Sequence, residues 1–138
     1  MAYTAYYYDC MPVPTEPGVL SIRVPNSADE INFAVYVPWT NCRLAHAETV
    51  CTEAIDATGH MEIDLLLDSS SGSEMMTITV DASSSVGDVD YATVTDASLC
   101  NKLDRGDTAR DAVNVEVDGS SGATGSVMLY LYFERDRD

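Results

Sequence analysis

The sequence predicts an all-β protein, an antiparallel β-sandwich with a jelly-roll-like arrangement of about eight strands and an extended N-terminal arm. Apolar and polar side chains alternate in two-residue steps in at least five segments of the 138 residues. Such alternation builds sheets with one buried and one solvated face. Clusters of Gly, Pro, Asn, Asp and Ser separate these segments and indicate turns. We expect one domain, 19–138, preceded by an arm, 1–18.

The predicted arm is rich in tyrosine and proline. It holds four of the eight tyrosines, namely Tyr3, Tyr6, Tyr7 and Tyr8. The residues that follow include Pro12, Pro14, Pro17 and Gly18, which favour an extended path and exclude a central strand. Tyrosine is enriched where protein surfaces meet, so the arm is predicted to contact a partner. The alternative is an arm that folds onto its own domain.

Eight strands are expected along the domain, near 19–24, 31–37, 42–50, 60–67, 75–81, 90–95, 112–118 and 126–134. In five of them the alternation assigns one apolar face: Ile31, Phe33, Val35 and Val37; Met61, Ile63, Leu65 and Leu67; Ile78 and Val80; Val113, Val115 and Val117; and Val127, Leu129, Leu131 and Phe133. Leu66 falls on the opposite face of its strand. One helical segment is expected near 96–103, capped by Asp96, although a single turn or a plain loop fits equally well.

The last strand has a second face that does not suit solvent. Met128, Tyr130 and Tyr132 alternate with its core residues. Either another part of the fold covers them or another subunit does. We therefore predict Met128, Tyr130 and Tyr132, with the four arm tyrosines, as the partner-binding residues.

The charge balance restricts the partners. The chain has 23 Asp and Glu against 7 Lys and Arg, a formal net charge of −16. This charge disfavours nucleic acid and anionic membranes. It also fits a dense assembly or a saline habitat. No apolar stretch reaches the ~20 residues of a membrane span, and no signal peptide is recognisable, so we expect synthesis in a cytoplasm.

No catalytic motif or cofactor site is predicted. The chain has no Gly-x-Ser-x-Gly elbow and no glycine-rich phosphate loop. His46 is expected at a surface or interface, and His60 in solvent. The four cysteines, Cys10, Cys42, Cys51 and Cys100, have no zinc spacing and are expected as buried free thiols, the alternative being an approach of Cys42 to Cys51. We expect no enzyme activity, no cofactor and no metal.

Two acidic loops raise the question of calcium. Asp88 and Asp90 lie beside Gly87, and a second group around Gly106 comprises Asp104, Asp107 and Asp111. Calcium takes several oxygen ligands, but neither loop fits the EF-hand pattern. We interpret both as solvated loops. The alternative is a recognition module, such as a calcium-assisted lectin or adhesin, with Asp88, Asp90, Asp104 and Asp107 as ligands.

The order of strands and turns over 19–134 resembles small β-sandwich virion proteins of tailed bacteriophages and related viruses, in particular capsid decoration (cement) and head-fibre proteins. The resemblance lies in these segments: Met61 to Leu67, Met76 to Val80, Ser85-Val86-Gly87-Asp88, Tyr91 to Val94, Leu103-Asp104-Arg105-Gly106-Asp107, Val113 to Val117, and Val127 to Phe133. It brings no catalytic residues, and the arm lies outside it.

The resemblance implies a structural function. Such proteins are made in the host cytoplasm and attach to the outer surface of a preformed capsid. The implied partners are the major capsid protein and further copies of the chain, with a homo-oligomer such as a trimer as the symmetric form. A sandwich protein of the tail or neck is the alternative within the virion.

Overall fold

The computed structural model describes residues 18–26, 31–36, 42–56, 60–68, 72–100, 103, 112–119 and 124–135. Within these residues the chain forms nine strands and one short helix. The strands are β1 (Val19–Pro25), β2 (Ile31–Tyr36), β3 (Cys42–Glu53), β4 (Met61–Leu67), β5 (Glu74–Val80), β6 (Val89–Tyr91), β7 (Thr93–Val94), β8 (Ala112–Asp118) and β9 (Ser126–Arg135). The helix α1 (Ala97–Cys100) lies between β7 and β8.

The strands form two antiparallel sheets. One has four strands in the order β1-β9-β3-β6, and the other has five in the order β2-β8-β4-β5-β7. Leaving out the edge strand β7, this is the strand order of a jelly roll, in which two four-stranded sheets pack face to face. The predicted antiparallel, jelly-roll-like sandwich is confirmed.

The core lies between the two sheets and contains the alternating apolar residues. In β9, Val127, Leu129, Leu131 and Phe133 are buried, as predicted. In β8, Val113, Val115 and Val117 are buried, and the strand pairs with β2 and β4. β1 follows the same rule with Leu20, Ile22 and Val24. Burial of these side chains is the main favourable contribution to folding.

The strand predicted at 90–95 is two strands in different sheets. β6 pairs with β3 in the four-stranded sheet, whereas β7 pairs with β5 in the other. Ala92 lies between them, and its N–H donates to the carbonyl of Ala47 at 3.0 Å. The chain therefore crosses from one sheet to the other within one residue. β3 also continues to Glu53, beyond its predicted end at residue 50.

Two of the three register shifts between paired strands change which residues face the core. In the β4–β5 pairing Leu65 lies opposite Met76 and Leu66 opposite Glu74, so Met75 is the extra residue, and both Met75 and Met76 are buried. Leu66 stays opposite Asn114 of β8 in an unbroken register, on the face away from Leu65, as predicted. A second shift lies between Leu44 and His46. Leu44 is buried, whereas His46 is turned to the outer face of its sheet. An extra residue in one strand reverses the facing of those beyond it, which alternation alone does not reveal.

The predicted helix is shorter than 96–103. α1 is a single turn, preceded by Asp96, whose Oδ1 accepts a hydrogen bond from the Ser98 N–H at 3.0 Å. Leu103 is buried but not helical. It forms an isolated bridge with Cys42, in which the Leu103 N–H donates to the Cys42 carbonyl at 2.8 Å.

Three cysteines are buried, unbridged thiols, as predicted: Cys42, Cys51 and Cys100. Cys42 and Cys51 lie on the same strand, nine positions or about 30 Å apart, so they do not approach each other. Burial raises the pKa of the Cys51 and Cys100 thiols. Cys10 lies outside the described residues. Within those residues, no helix has the length and apolar character needed to cross a bilayer.

Gly125 lies where three loops meet at one end of the sandwich. Its carbonyl accepts a hydrogen bond from the Asn26 N–H at 3.0 Å. Its φ is +113°, a conformation that side chains rarely adopt. A Cβ at this position lies 2.7 Å from the Ala54 carbonyl oxygen and 2.9 Å from the Ile55 Cα. Both backbone conformation and space therefore require glycine here.

We expect Gly125→Ala to destabilise the protein by about 3 kcal/mol, because backbone strain and a backbone clash act together. Gly87→Ala is the matched control, since Gly87 has φ +97° but open space around the added methyl group. We expect Gly87→Ala to lose only about 1 kcal/mol of stability, which is the backbone strain without the clash. Urea unfolding measures both variants, and equal losses would contradict the role assigned to the close approach.

Candidate partner-binding face

The outer side of the four-stranded sheet is largely apolar and aromatic. We call it the tyrosine face, and it consists of Val19, Ser21, Arg23, Arg43, His46, Glu48, Val50, Val89, Tyr91, Met128, Tyr130, Tyr132 and Glu134. These side chains alternate with core residues along β1, β3, β6 and β9. The three partner-binding residues predicted on the last strand therefore lie together on this face.

The strand register arranges the centre of the tyrosine face in three rows. Tyr132 lies between Val19 and His46 in the first row. In the second row Tyr130 lies between Ser21 and Glu48, followed by Tyr91. In the third row Met128 lies between Arg23 and Val50, followed by Val89. Directly opposed side chains lie about 5 Å apart at Cβ, close enough to form one continuous surface.

Four side chains of this face form a connected cluster. The His46 ring lies 5.4 Å from the Tyr132 ring and 5.8 Å from the Tyr91 ring, centroid to centroid, which is the range of aromatic contacts. The Tyr132 hydroxyl donates a hydrogen bond to the Glu48 carboxylate. This bond raises the pKa of the phenol, with smaller contributions from desolvation and the negative charge of Glu48. His46 Nε2 lies 3.7 Å from Glu48 Oε2. The cluster fixes the ring positions.

The described residues leave the tyrosine face open. Tyr91 is 66% exposed, Val19 50% and Val89 42%. Met128 and Tyr130 are half-buried by their neighbours within the sheet. Contiguous apolar surface of this kind marks interaction sites in proteins that are otherwise polar outside. Within the described residues, no other element therefore covers Met128, Tyr130 and Tyr132.

The outer side of the five-stranded sheet has the opposite character. We call it the acidic face, and its charged residues are Glu62, Asp64, Glu74, Glu116 and Asp118. Its five strands contain no Lys, Arg or His. The tyrosine face, in contrast, carries Arg23 and Arg43 beside the carboxylates of Glu48 and Glu134, and Glu53 lies at its margin opposite Ser126. The Arg43 Nε donates to Glu134 Oε2 at 3.0 Å. The two sides of the sandwich therefore differ in both polarity and net charge.

Asp64 lies at the centre of the acidic face. It is opposite Glu116 and Thr77 in the strand register. Thr77 Oγ1 donates a hydrogen bond to its Oδ1 at 2.7 Å. Desolvation raises the Asp64 pKa to about 6, the Thr77 bond opposes the rise, and the nearby carboxylates of Glu62 and Glu74 add to it. The acidic face therefore holds negative charge at a cost in stability.

Sequence reasoning found the β9 part of the tyrosine face and missed the rest. His46 was expected at a surface or interface, but its contacts with Tyr91 and Tyr132 depend on a bulge and on pairing between distant segments. Val50 and Val89 gave no signal of their own. His60 is exposed, as predicted. The four predicted arm residues, Tyr3, Tyr6, Tyr7 and Tyr8, lie outside the described residues.

The acidic loops give no support to a calcium site in the part of the chain that is described. The Asp88 Oδ2 accepts a hydrogen bond from the Ser85 N–H at 2.8 Å, which closes its own turn. No group of three metal-ligating side chains occurs among the described residues. Asp104 and Asp107 fall outside them. No observation therefore favours the lectin or adhesin interpretation.

Comparison with known proteins identifies no family. No family model matches the chain, and no curated protein matches its sequence. A structural match is found to a chain in the structure of infectious bursal disease virus, Gx strain, with a TM-score of 0.31 and 13% identity. The match covers 88% of this chain and 37% of that chain. At this TM-score and identity the match assigns neither a family nor a function to the chain.

We expect Asp64→Asn to stabilise the protein at pH 7.5 by about 1 kcal/mol. The raised folded-state pKa means that the native state binds the proton more tightly than the unfolded state, so the wild-type Asp64 contribution worsens as pH rises from about 4 through 6. The pKa shift corresponds to a loss of about 3 kcal/mol in the free energy of unfolding if solvent screening is ignored. Asp64 is partly exposed, so screening reduces this loss severalfold.

Urea unfolding of Asp64→Asn and wild type between pH 4 and 7.5 measures this effect. The difference should shrink towards pH 4, where the folded-state carboxyl is protonated and the unfolded-state carboxyl is close to half-protonated. Asp118→Asn, at the exposed end of the same face, is the control. A constant difference across the whole pH range would show that Asp64 is not the titrating group.

Proposed function

We propose that this protein is a virion structural protein, specifically a capsid decoration (cement) protein that binds the outer surface of a preformed shell and ties neighbouring subunits together. The observation that carries the proposal is the contrast between the two outer faces. The tyrosine face combines apolar and aromatic side chains with two arginines, whereas the strands of the acidic face bear five carboxylates and contain no Lys, Arg or His. A protein built in this way has one side suited to contact and one suited to solvent.

The fold is compatible with this function but does not select it. Jelly rolls occur in viral capsid proteins and in lectins alike. The sequence resemblance to decoration proteins and the absence of a catalytic motif in the sequence favour the structural function. The tyrosine face adds a chemical reason, since tyrosine, methionine and arginine are the residues enriched in protein interfaces.

The size of the tyrosine face indicates how attachment is achieved. Four strands about 4.8 Å apart and three rows about 7 Å apart cover roughly 400 Å². A stable interface buries about 800 Å² on each partner. The face alone is therefore too small, and the tyrosine-rich arm is the natural source of the remaining area. Repetition of such contacts over a shell multiplies their effect.

The net charge of −16 suits the outer surface. An acidic protein is repelled by packaged nucleic acid, so the exterior of a capsid is the favourable location. With the tyrosine face against the shell, the acidic face points to solvent. We therefore propose the major capsid protein and further copies of the chain as partners.

The test is co-sedimentation with heads assembled from the major capsid protein encoded in the same genome. Wild-type protein should bind at saturating, symmetric stoichiometry. Tyr130→Ser should raise the dissociation constant by at least about 30-fold, because a central tyrosine of an interface contributes about 2 kcal/mol or more. Val94→Ser, which removes an exposed valine from the other sheet, should bind like wild type.

Three results would count against the proposal. Absence of wild-type binding to heads would reject a decoration function. Binding to isolated tails or necks instead would favour the alternative virion location. Undiminished binding of Tyr130→Ser would show that the tyrosine face is not the contact surface.

A further inference from the structure

We propose that the tyrosine face is the docking site for the N-terminal segment, residues 1–17, of a second copy of this chain. The proposal deepens the proposed function and rests on it: the segment laid across the tyrosine face completes the surface that meets the shell and ties decorating copies to one another.

The segment joins the fold at the rim of the tyrosine face. The Gly18 carbonyl accepts a hydrogen bond from the Phe133 N–H at 2.9 Å, and Val19 is opposite Tyr132. β1 is an edge strand and runs antiparallel to β9. Traced backwards from Val19, the chain therefore points towards the end of β9 and beyond the sheet, away from the rows centred on Tyr130 and Met128.

The sequence disfavours an immediate return to the same face. Pro17 has no N–H with which to continue the ladder, and Pro12 and Pro14 favour an extended path. Seventeen extended residues reach roughly 55 Å. A domain of this size is about 35 Å across, given a radius of gyration near 14 Å. The segment is therefore long enough to reach the face of a neighbouring copy.

The dimensions of the segment and the face agree. From Tyr3 to Tyr8 an extended chain spans about 17 Å. The four strands of the tyrosine face span about 14 Å between the outermost strand axes. The extended segment can thus cross all four strands, with one alternate pair of tyrosines, Tyr3 with Tyr7 or Tyr6 with Tyr8, facing the sheet. The segment adds the contact area that the face of roughly 400 Å² lacks for a stable interface.

Charge selects this face over the other. The segment contains Asp9 and Glu16 and no Lys or Arg. The tyrosine face carries Arg23 and Arg43, the two arginines whose side chains the structure describes. The acidic face would repel the segment. A heterologous contact of this kind, from the segment of one copy to the face of the next, closes a ring when its rotation permits.

The first experiment measures the oligomeric state of the full chain by sedimentation velocity. Wild type and Val94→Ser should form the same defined oligomer. Tyr130→Ser and a variant with serine at positions 3, 6, 7 and 8 should each raise its dissociation constant at least about 30-fold. Circular dichroism establishes that each variant is folded.

Mixing the two defective variants tests exchange directly. The Tyr130→Ser copy retains a functional segment, and the copy with four serines retains a functional face. Their mixture should form a one-to-one dimer and nothing larger, because only one of the two possible contacts is intact. Formation of this dimer would also show that both variants are folded. Its absence would overturn the proposal.

Photo-crosslinking identifies the occupant. Full chain with Tyr7→p-benzoylphenylalanine is mixed with ¹⁵N-labelled wild type and irradiated. The proposal expects cross-links from the segment to ¹⁵N-labelled peptides containing Tyr91 or Tyr130. Cross-links confined to unlabelled peptides would show a segment folded onto its own domain and would overturn the exchange.

The two proposals fail separately. These measurements contain no capsid, so an exchanged oligomer that does not bind heads would reject the decoration function alone. A protein that decorates heads but shows neither the mixed dimer nor the ¹⁵N cross-links would reject the exchange alone.

Discussion

The register of β9 between β1 and β3 is the constraint on which the rest of the structure depends. β9 is paired along nearly its whole length on both sides. This pairing places Leu129 and Leu131 in the core and Tyr130 and Tyr132 outside. A slip of one residue would exchange the two sets, because side chains alternate with a period of two. Core and tyrosine face are thus two consequences of one pairing.

Alternation of apolar and polar residues predicts which face of a strand is buried, because this depends only on the local sequence. The inner faces of β8 and β9 follow directly from their valines and leucines. The bulges after Leu44 and at Met75 do not, because an extra residue looks the same in a sequence whether or not its neighbours pair around it. The change of sheet at Ala92 also depends on partners in β3 and β5 that lie far away in the chain. Tertiary pairing decides these features.

The same distinction applies to the tyrosine face. Its β9 residues stood out because Tyr130 and Tyr132 are unusual on a solvent-facing strand side. Tyr91 and Val50 did not, because a single exposed apolar residue is ordinary. They acquire meaning only when the register sets them beside β9. The acidic face was equally hidden, since carboxylates are spread over the whole sequence and only pairing collects five of them on one sheet.

The shortness of β6 and β7 bears on how this fold avoids uncontrolled association. An exposed sheet edge offers unpaired backbone groups on which another chain can build, a route to aggregation and fibres. β6 and β7 close one edge of each sheet with only three and two residues. They leave too little backbone for an incoming strand to pair with. This flank of the fold is therefore protected against edge-to-edge addition of strands from another chain.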